Sequence, residues 1–286
     1  MSSLTLPSPL IAIDWLESQI NHADLVILDA SWHMPSVNRN GKLEWFNERI
    51  PSARFFDFNR EICDNHSPFP HMMPNESDFQ NSVQKLGINQ DSAIVVYDSI
   101  GIFSSPRVWW MFKAMGFENV AVLDGGLPAW KEKSLAVESG ATINIVEKGN
   151  FRANYLSRRI CSVDEVVDAT QDAQQHVVDA RPKARFDGEA SEPRVGLRSG
   201  HMPNAINLPF SSILENNKMK EAYQLALLFE AISPKPQRMI FSCGSGVTAC
   251  ILALGATLAG YENFCVYDGS WTEWASRDDL PVLKKL

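Results

Sequence analysis

Short, wholly apolar runs alternate with longer stretches of helical period along this chain. Val26-Ile27-Leu28-Asp29-Ala30, Ala93-Ile94-Val95-Val96-Tyr97-Asp98, Val177-Val178-Asp179-Ala180-Arg181 and Arg238-Met239-Ile240-Phe241-Ser242-Cys243 each read as a buried strand with a polar residue or cysteine at or near its end. Tyr223 to Ala231 and Val247 to Ala259 repeat their apolar positions at helical spacing. Strands too apolar to face water on either side, separated by helices, predict an α/β fold: an open, mostly parallel sheet with helices on both faces. In such sheets ligands collect beyond the carboxyl ends of the strands, where Asp98 and Cys243 stand.

The pattern occurs twice. Val26–Ala30 is echoed by Val177–Arg181, and Ile50-Pro51-Ser52-Ala53 by Met202-Pro203-Asn204-Ala205. Ala93–Asp98 is echoed by Arg238–Cys243. Glu118-Asn119-Val120-Ala121-Val122-Leu123-Asp124-Gly125-Gly126 is echoed by Glu262-Asn263-Phe264-Cys265-Val266-Tyr267-Asp268-Gly269-Ser270, with Trp130 and Trp274 closing the pair. Four matches in one order at a nearly constant offset predict two homologous domains. The expected limits are 1–140 and 158–286. A linker is expected over 141–157, where the period is weak and Gly149-Asn150 marks a turn.

Composition narrows the function classes. The 286 residues carry a net charge of −8 with both signs interspersed, which argues against nucleic acid or an anionic membrane as partner. No segment approaches the roughly 18 apolar residues of a membrane helix, and Met1 to Ile13 lacks the marks of a leader; the expected compartment is the cytoplasm. Cys63, Cys161, Cys243, Cys250 and Cys265 are an odd, scattered set without a CxxC spacing, so free thiols are expected. No metal-ligand spacing appears among the histidines, and no cofactor is implied.

Cys243 differs from the other four. It ends a strand, and Gly244, Ser245, Gly246, Val247 and Thr248 separate it from the next helix. A glycine-bearing turn can aim successive N–H groups inward, and the helix start adds its positive end. Such a bowl lowers the pKa of a thiol and cradles an anion formed on it. Cys161, Cys250 and Cys265 lie in strand or helix interiors and read as inert buried thiols.

The loop Cys243-Gly244-Ser245-Gly246-Val247-Thr248 and the later Tyr267-Asp268-Gly269-Ser270-Trp271-Thr272-Glu273-Trp274 resemble those of the 3-mercaptopyruvate sulfurtransferases, a branch of the two-domain rhodanese family. Ser105–Phe112 and Glu192–Arg198 extend the resemblance over nearly the whole chain. It implies tandem rhodanese-like domains with a catalytic cysteine only in the second, Asp98 standing at that place in the first. It implies that Cys243 becomes a persulfide, with 3-mercaptopyruvate as donor and a thiol such as thioredoxin, or cyanide, as acceptor. Backbone N–H groups of Gly244, Gly246, Val247 and Thr248 are expected to hold the anionic sulfur. Arg185 and Arg194 match the family's substrate-binding arginines, suited to gripping a carboxylate through paired hydrogen bonds. Arg181 and Arg198 are expected to be structural, as is His201 in His-x-Pro-x-Ala. The resemblance sets His71, in a proline-stiffened loop of the first domain, facing the cysteine loop and touching Ser245 in a protease-like relay. The acid expected in that relay is replaced by Asn59. Phe103 is a candidate for the pocket wall.

Three other functions compete with this one. Thiosulfate-using rhodaneses typically carry an Arg-Lys pair after the cysteine; Gly244 and Ser245 are uncharged, which favours a monoanionic keto acid. Rhodanese-like phosphatases need an arginine six residues after the cysteine, where Ala249 stands, in a loop one residue longer. A non-catalytic binding module fits the first domain, which lacks the nucleophile.

Overall fold

The computed structural model describes residues 3–141, 146–233 and 237–285. It divides into two compact units. The first holds residues 1–65, 73–156 and 216–218, and the second 66–72, 157–215 and 219–286.

In the first unit the strands are β1 (Leu10–Ile11), β2 (Leu25–Asp29), β3 (Arg54–Phe55), β4 (Ala93–Tyr97) and β5 (Val120–Leu123). Helices α1 (Ile13–Gln19), α2 (Gly41–Asn47), α3 (Glu76–Lys85), α4 (Ser105–Ala114) and α5 (Gly126–Glu132) connect or flank them. The sheet order is β1-β5-β4-β2-β3 with parallel pairing throughout. The second unit has β6 (Ile160–Cys161), β7 (Gln175–Asp179), β8 (Ile206–Asn207) and, later in the chain, β11 (Arg238–Ser242) and β12 (Phe264–Tyr267). Two short strands, β9 (Leu214–Glu215) and β10 (Lys218–Met219), lie outside the five-stranded sheets. The helices are α6 (Val163–Ala169), α7 (Lys183–Phe186), α8 (Ala222–Ile232), α9 (Ala249–Leu258) and α10 (Ser270–Ser276). The order β6-β12-β11-β7-β8 repeats that of the first sheet. Both sheets are therefore the parallel, helix-covered kind that the apolar runs predict.

Every residue of β4 is buried, because both faces of the sheet are covered. One face sends Ile27, Val95, Tyr97, Ala121 and Leu123 against α1 and α5. The other meets an aromatic cluster of Phe56, Phe79, Phe112, Phe117 and Phe151, with neighbouring centroids 5.2–6.4 Å apart. The repeat extends to details: Trp130 Nε1 donates to Ala136 O at 2.8 Å, and Trp274 Nε1 to Pro281 O at 2.9 Å.

Two expectations differ from the structure. The expected linker, 141–157, spans residues 142–145, which lie outside the described residues. Residues 146–156 pack in the first unit, where Phe151 is fully buried and Gly149 N–H donates to Gln84 O. These residues are held by backbone bonds and one aromatic anchor, which leave no period to read. The expectation of free thiols fails for two cysteines: Cys161 and Cys265 form a disulfide with their Cα atoms 6.1 Å apart. Cys161 pairs with Tyr267 on the adjacent strand, so Cys265, two residues earlier, shares its face. A separation of 104 residues hid that neighbourhood. Cys63, Cys243 and Cys250 remain thiols.

Candidate active site

The strand β11 delivers Cys243 to its carboxyl end, where it is 1% exposed. Helix α9 begins at Ala249, two residues later than its pattern suggested, because the intervening loop curls: Gly246 takes φ +74°. Gly244 is glycine for another reason. A Cβ there would sit 3.2 Å from Nη2 of Arg185, so the missing side chain makes room for a guanidinium.

The segment that opens α10 clamps this loop. Trp271 N–H donates to Cys243 O at 2.9 Å, and both the N–H and the hydroxyl of Thr272 donate to Gly244 O, at 2.9 and 2.6 Å. Ser270 adopts φ +50°, a region that costs a non-glycine residue energy and that persists where surroundings enforce it. There its Oγ accepts the N–H groups of Cys243 and Gly246, both at 3.1 Å, donates to Tyr267 O at 2.8 Å, and lies 4.0 Å from the Cys243 sulfur. Gly246 was expected to offer its N–H to the sulfur; that N–H is engaged by Ser270. Among the described residues, the N–H groups of Gly244, Ser245, Val247 and Thr248 meet no protein acceptor. They remain to receive an anion.

The second unit brings His71, Ser245, Arg185 and Arg194 around the cysteine loop. His71 is buried, takes φ +65°, and belongs to this unit although its sequence position suggested the first. Its Nδ1 lies 3.2 Å from the Ser245 carbonyl, to which it can only donate, and 3.1 Å from Ser245 Oγ. Arg194 Nη2 donates to the same Oγ at 3.3 Å. Burial holds the Arg194 guanidinium below the usual arginine value; Cys243 pulls it up, and Arg185 pushes it down. Arg194 thus lies within electrostatic reach of both Cys243 and Arg185.

Arg185 is held by Glu192, which was not singled out from the sequence. Arg185 Nε donates to Glu192 Oε1 at 3.2 Å and Nη2 to Oε2. Arg181, expected to be merely structural, donates to Glu192 at 2.8 Å, to Asp179 through Nε and Nη2, and to Gly200 O, with its guanidinium 4.2 Å from the Trp271 ring. Burial opposes its charge, but Asp179 and Glu192 outweigh that and raise its pKa. Ser270, Thr272 and Glu192 all lay within motifs already noted; only their partners reveal their roles.

Arg198 serves the fold, donating to the carbonyls of Trp274, Ala275, Arg277 and Leu280. His201 stacks on Phe186 at 4.1 Å and its Nδ1 donates to Phe186 O at 2.8 Å. Phe103 stacks on Trp32 within the first unit.

A thiol in a curled loop at the carboxyl edge of a parallel sheet, with the unit present in duplicate and one copy lacking the thiol, suits a class of sulfur-handling protein. The rhodanese-like domain family matches residues 12–133 and 162–277. The chain belongs to that family, on its two-domain 3-mercaptopyruvate sulfurtransferase branch. It is 40% identical over 302 residues to the mitochondrial thiosulfate/3-mercaptopyruvate sulfurtransferase 1 of Arabidopsis thaliana, covering 98% of this chain and 79% of the relative. It is 38% identical to the 3-mercaptopyruvate sulfurtransferase of Escherichia coli, covering 95% and 96%. The crystal structure of SseA, a 3-mercaptopyruvate sulfotransferase from Escherichia coli, superposes with a TM-score of 0.83 at 35% identity, covering 92% of this chain and 99% of that one. No helix among the described residues is long and apolar enough to cross a membrane.

Proposed function

We propose that this enzyme moves sulfur from 3-mercaptopyruvate through a persulfide on Cys243 to a thiol or cyanide acceptor. The observation that carries this reading is the supply of positive charge: the cysteine loop has none of its own, and Arg185 and Arg194 bring two guanidiniums to it from a neighbouring segment. A keto acid with one carboxylate fits paired guanidiniums and a neutral bowl. In this reading Arg185 and Arg194 hold the donor's carboxylate and turn its sulfur toward Cys243. The thiolate attacks that sulfur, an S–S bond forms, and the C–S bond breaks with its electrons passing to carbon. Pyruvate leaves as its enolate and takes up a proton; the outer sulfur stays on Cys243. The unengaged N–H groups of the loop stabilise the anionic sulfur. Ser245 Oγ accepts from Arg194 and stands beside Nδ1 of His71, so its hydroxyl is placed to carry the proton of the donor's thiol to the leaving enolate. A thiolate such as that of thioredoxin, or cyanide, then takes the outer sulfur and restores Cys243. No cofactor takes part. The cytoplasm is the compartment we favour, and fractionation of the native cell tests it.

Mass spectrometry after adding 3-mercaptopyruvate should show one extra sulfur on Cys243 with pyruvate released, and Cys243→Ser should abolish both. An unmodified Cys243 during turnover overturns the reading. A second donor has support from the Arabidopsis relative's name, which couples thiosulfate with 3-mercaptopyruvate. Turnover compared between the two donors decides their order.

A further inference from the structure

The side chain of Glu192 is 2% exposed and lies between two guanidiniums. A carboxylate withdrawn from water needs charged partners to remain ionised. Arg181 supplies one, and Arg181 is itself immobile: it is 1% exposed, bonded to both oxygens of Asp179 and stacked on Trp271. The second partner is Arg185, more exposed at 18%, which Glu192 grips along its Nε–Nη2 edge. Asp179, Arg181, Glu192 and Arg185 thus form a buried row of alternating sign that starts at the end of β7 and finishes over the cysteine loop. A pair serving stability alone could be replaced by apolar packing without loss. This one ends at a guanidinium whose remaining N–H edge is unspent and whose Nη2 lies 3.2 Å from the point where Gly244 would carry a Cβ.

We infer that Glu192 is a positioning residue: anchored by Arg181, it fixes the plane of the Arg185 guanidinium over Gly244, so that the unspent N–H edge meets the donor's carboxylate. The inference rests on the reading of Arg185 as a carboxylate ligand. A guanidinium on a free stem must lose rotamer freedom when substrate binds; one already clamped has lost it on folding. Because Glu192 neutralises much of Arg185, the excess positive charge of the site resides on Arg194, while Arg185 contributes direction.

The test is a double-mutant cycle in the full-length enzyme with 3-mercaptopyruvate as donor. Glu192→Gln should raise KM about tenfold, the scale of a lost charge-assisted hydrogen bond, with kcat changed much less. Arg185→Gln should raise KM at least as much, and adding Glu192→Gln to it should change nothing further, since Glu192 acts only through Arg185. Alkylation of Cys243 gives a readout apart from turnover. The preference for iodoacetate over uncharged iodoacetamide should fall in Glu192→Gln, while the iodoacetamide rate holds. If the glutamine variant fails to fold, Glu192→Asp keeps the charge with a shorter reach, and the same non-additivity is expected. An Arg185 defect that Glu192 variants do not reproduce, or a Glu192 effect that persists undiminished without Arg185, overturns this inference alone. An unchanged KM in Arg185→Gln overturns the carboxylate reading and this inference with it.

Discussion

After β4, the carboxylate of Asp98 accepts the N–H groups of Ile100, Gly101, Phe103, Ser104 and Ser105 and the Ser105 hydroxyl, all within 3.1 Å. After β11, the corresponding turn carries Cys243, and several of its N–H groups meet no protein acceptor among the described residues. Strand, turn and helix are the same in both units, so both build an anion bowl. The first unit fills its bowl with an anion tethered to the chain. The second leaves it, in the proposed reading, for an anion that comes and goes. The first unit therefore differs in the occupancy of its bowl as well as in the missing thiol.

The clamps differ in the same sense. At Gly126 an added Cβ would come within 2.4 Å of Asp98 O, so the first unit tolerates no side chain there. Ser270 occupies the equivalent place and uses its hydroxyl to bind Cys243 and Gly246. Ser99 follows Asp98 and bonds Glu44 through its hydroxyl, whereas Gly244 stays bare because Arg185 lies above it. One step back, Asp179 is neutralised by Arg181, but Ser31 takes that place beside Asp29. Burial accordingly pushes the Asp29 carboxyl up to about 7.

Asp98→Ala should break the comparison most severely. Five N–H groups would lose their acceptor, and the protein should be destabilised by about 3–5 kcal/mol, read as a shift in the denaturant midpoint. Activity per folded molecule should persist, since the nucleophile is elsewhere. Next in size is Gly244→Arg, which would set a side chain and a like charge against Arg185. It should lower kcat/KM for 3-mercaptopyruvate by roughly a hundredfold, about 2.7 kcal/mol, while thiosulfate turnover falls less. The smallest effect belongs to Asp29→Asn. With its folded pKa raised from 3.8 to about 7, Asp29 adds stability in its protonated form, which is lost as pH rises through that interval. The asparagine variant should therefore gain on the natural protein between pH 5 and 8, by roughly 2 kcal/mol at the upper end. Thermal midpoints of the two proteins across that range should diverge with pH; parallel curves would show that Asp29 ionises freely.

Much of the fold was legible in the sequence because burial on both faces leaves strands as uninterrupted apolar runs, and because duplication states each run twice. The proposed nucleophile was legible too: a cysteine between a strand and a glycine-bearing turn carries its electrostatics in local order. Arg185, Arg194 and His71 could be named only from the resemblance. Long-range partners were not legible. Glu192 reads as one more acid in a charged loop until Arg181 and Arg185 close on it. Ser270 reads as a helix start until its φ and its two N–H donors are seen. Cys161 and Cys265 read as inert thiols until β6 and β12 lie side by side.

By itself, then, the sequence determined which side chains can react and which segments form strands, since both depend on residues close in the chain. Only the tertiary structure decided which charges face one another. The energies of a buried carboxylate, a strained serine or a paired guanidinium depend on neighbours that are remote in the chain. It is those neighbours that turn an ordinary buried cysteine into an open anion site, and an equivalent aspartate into a closed one.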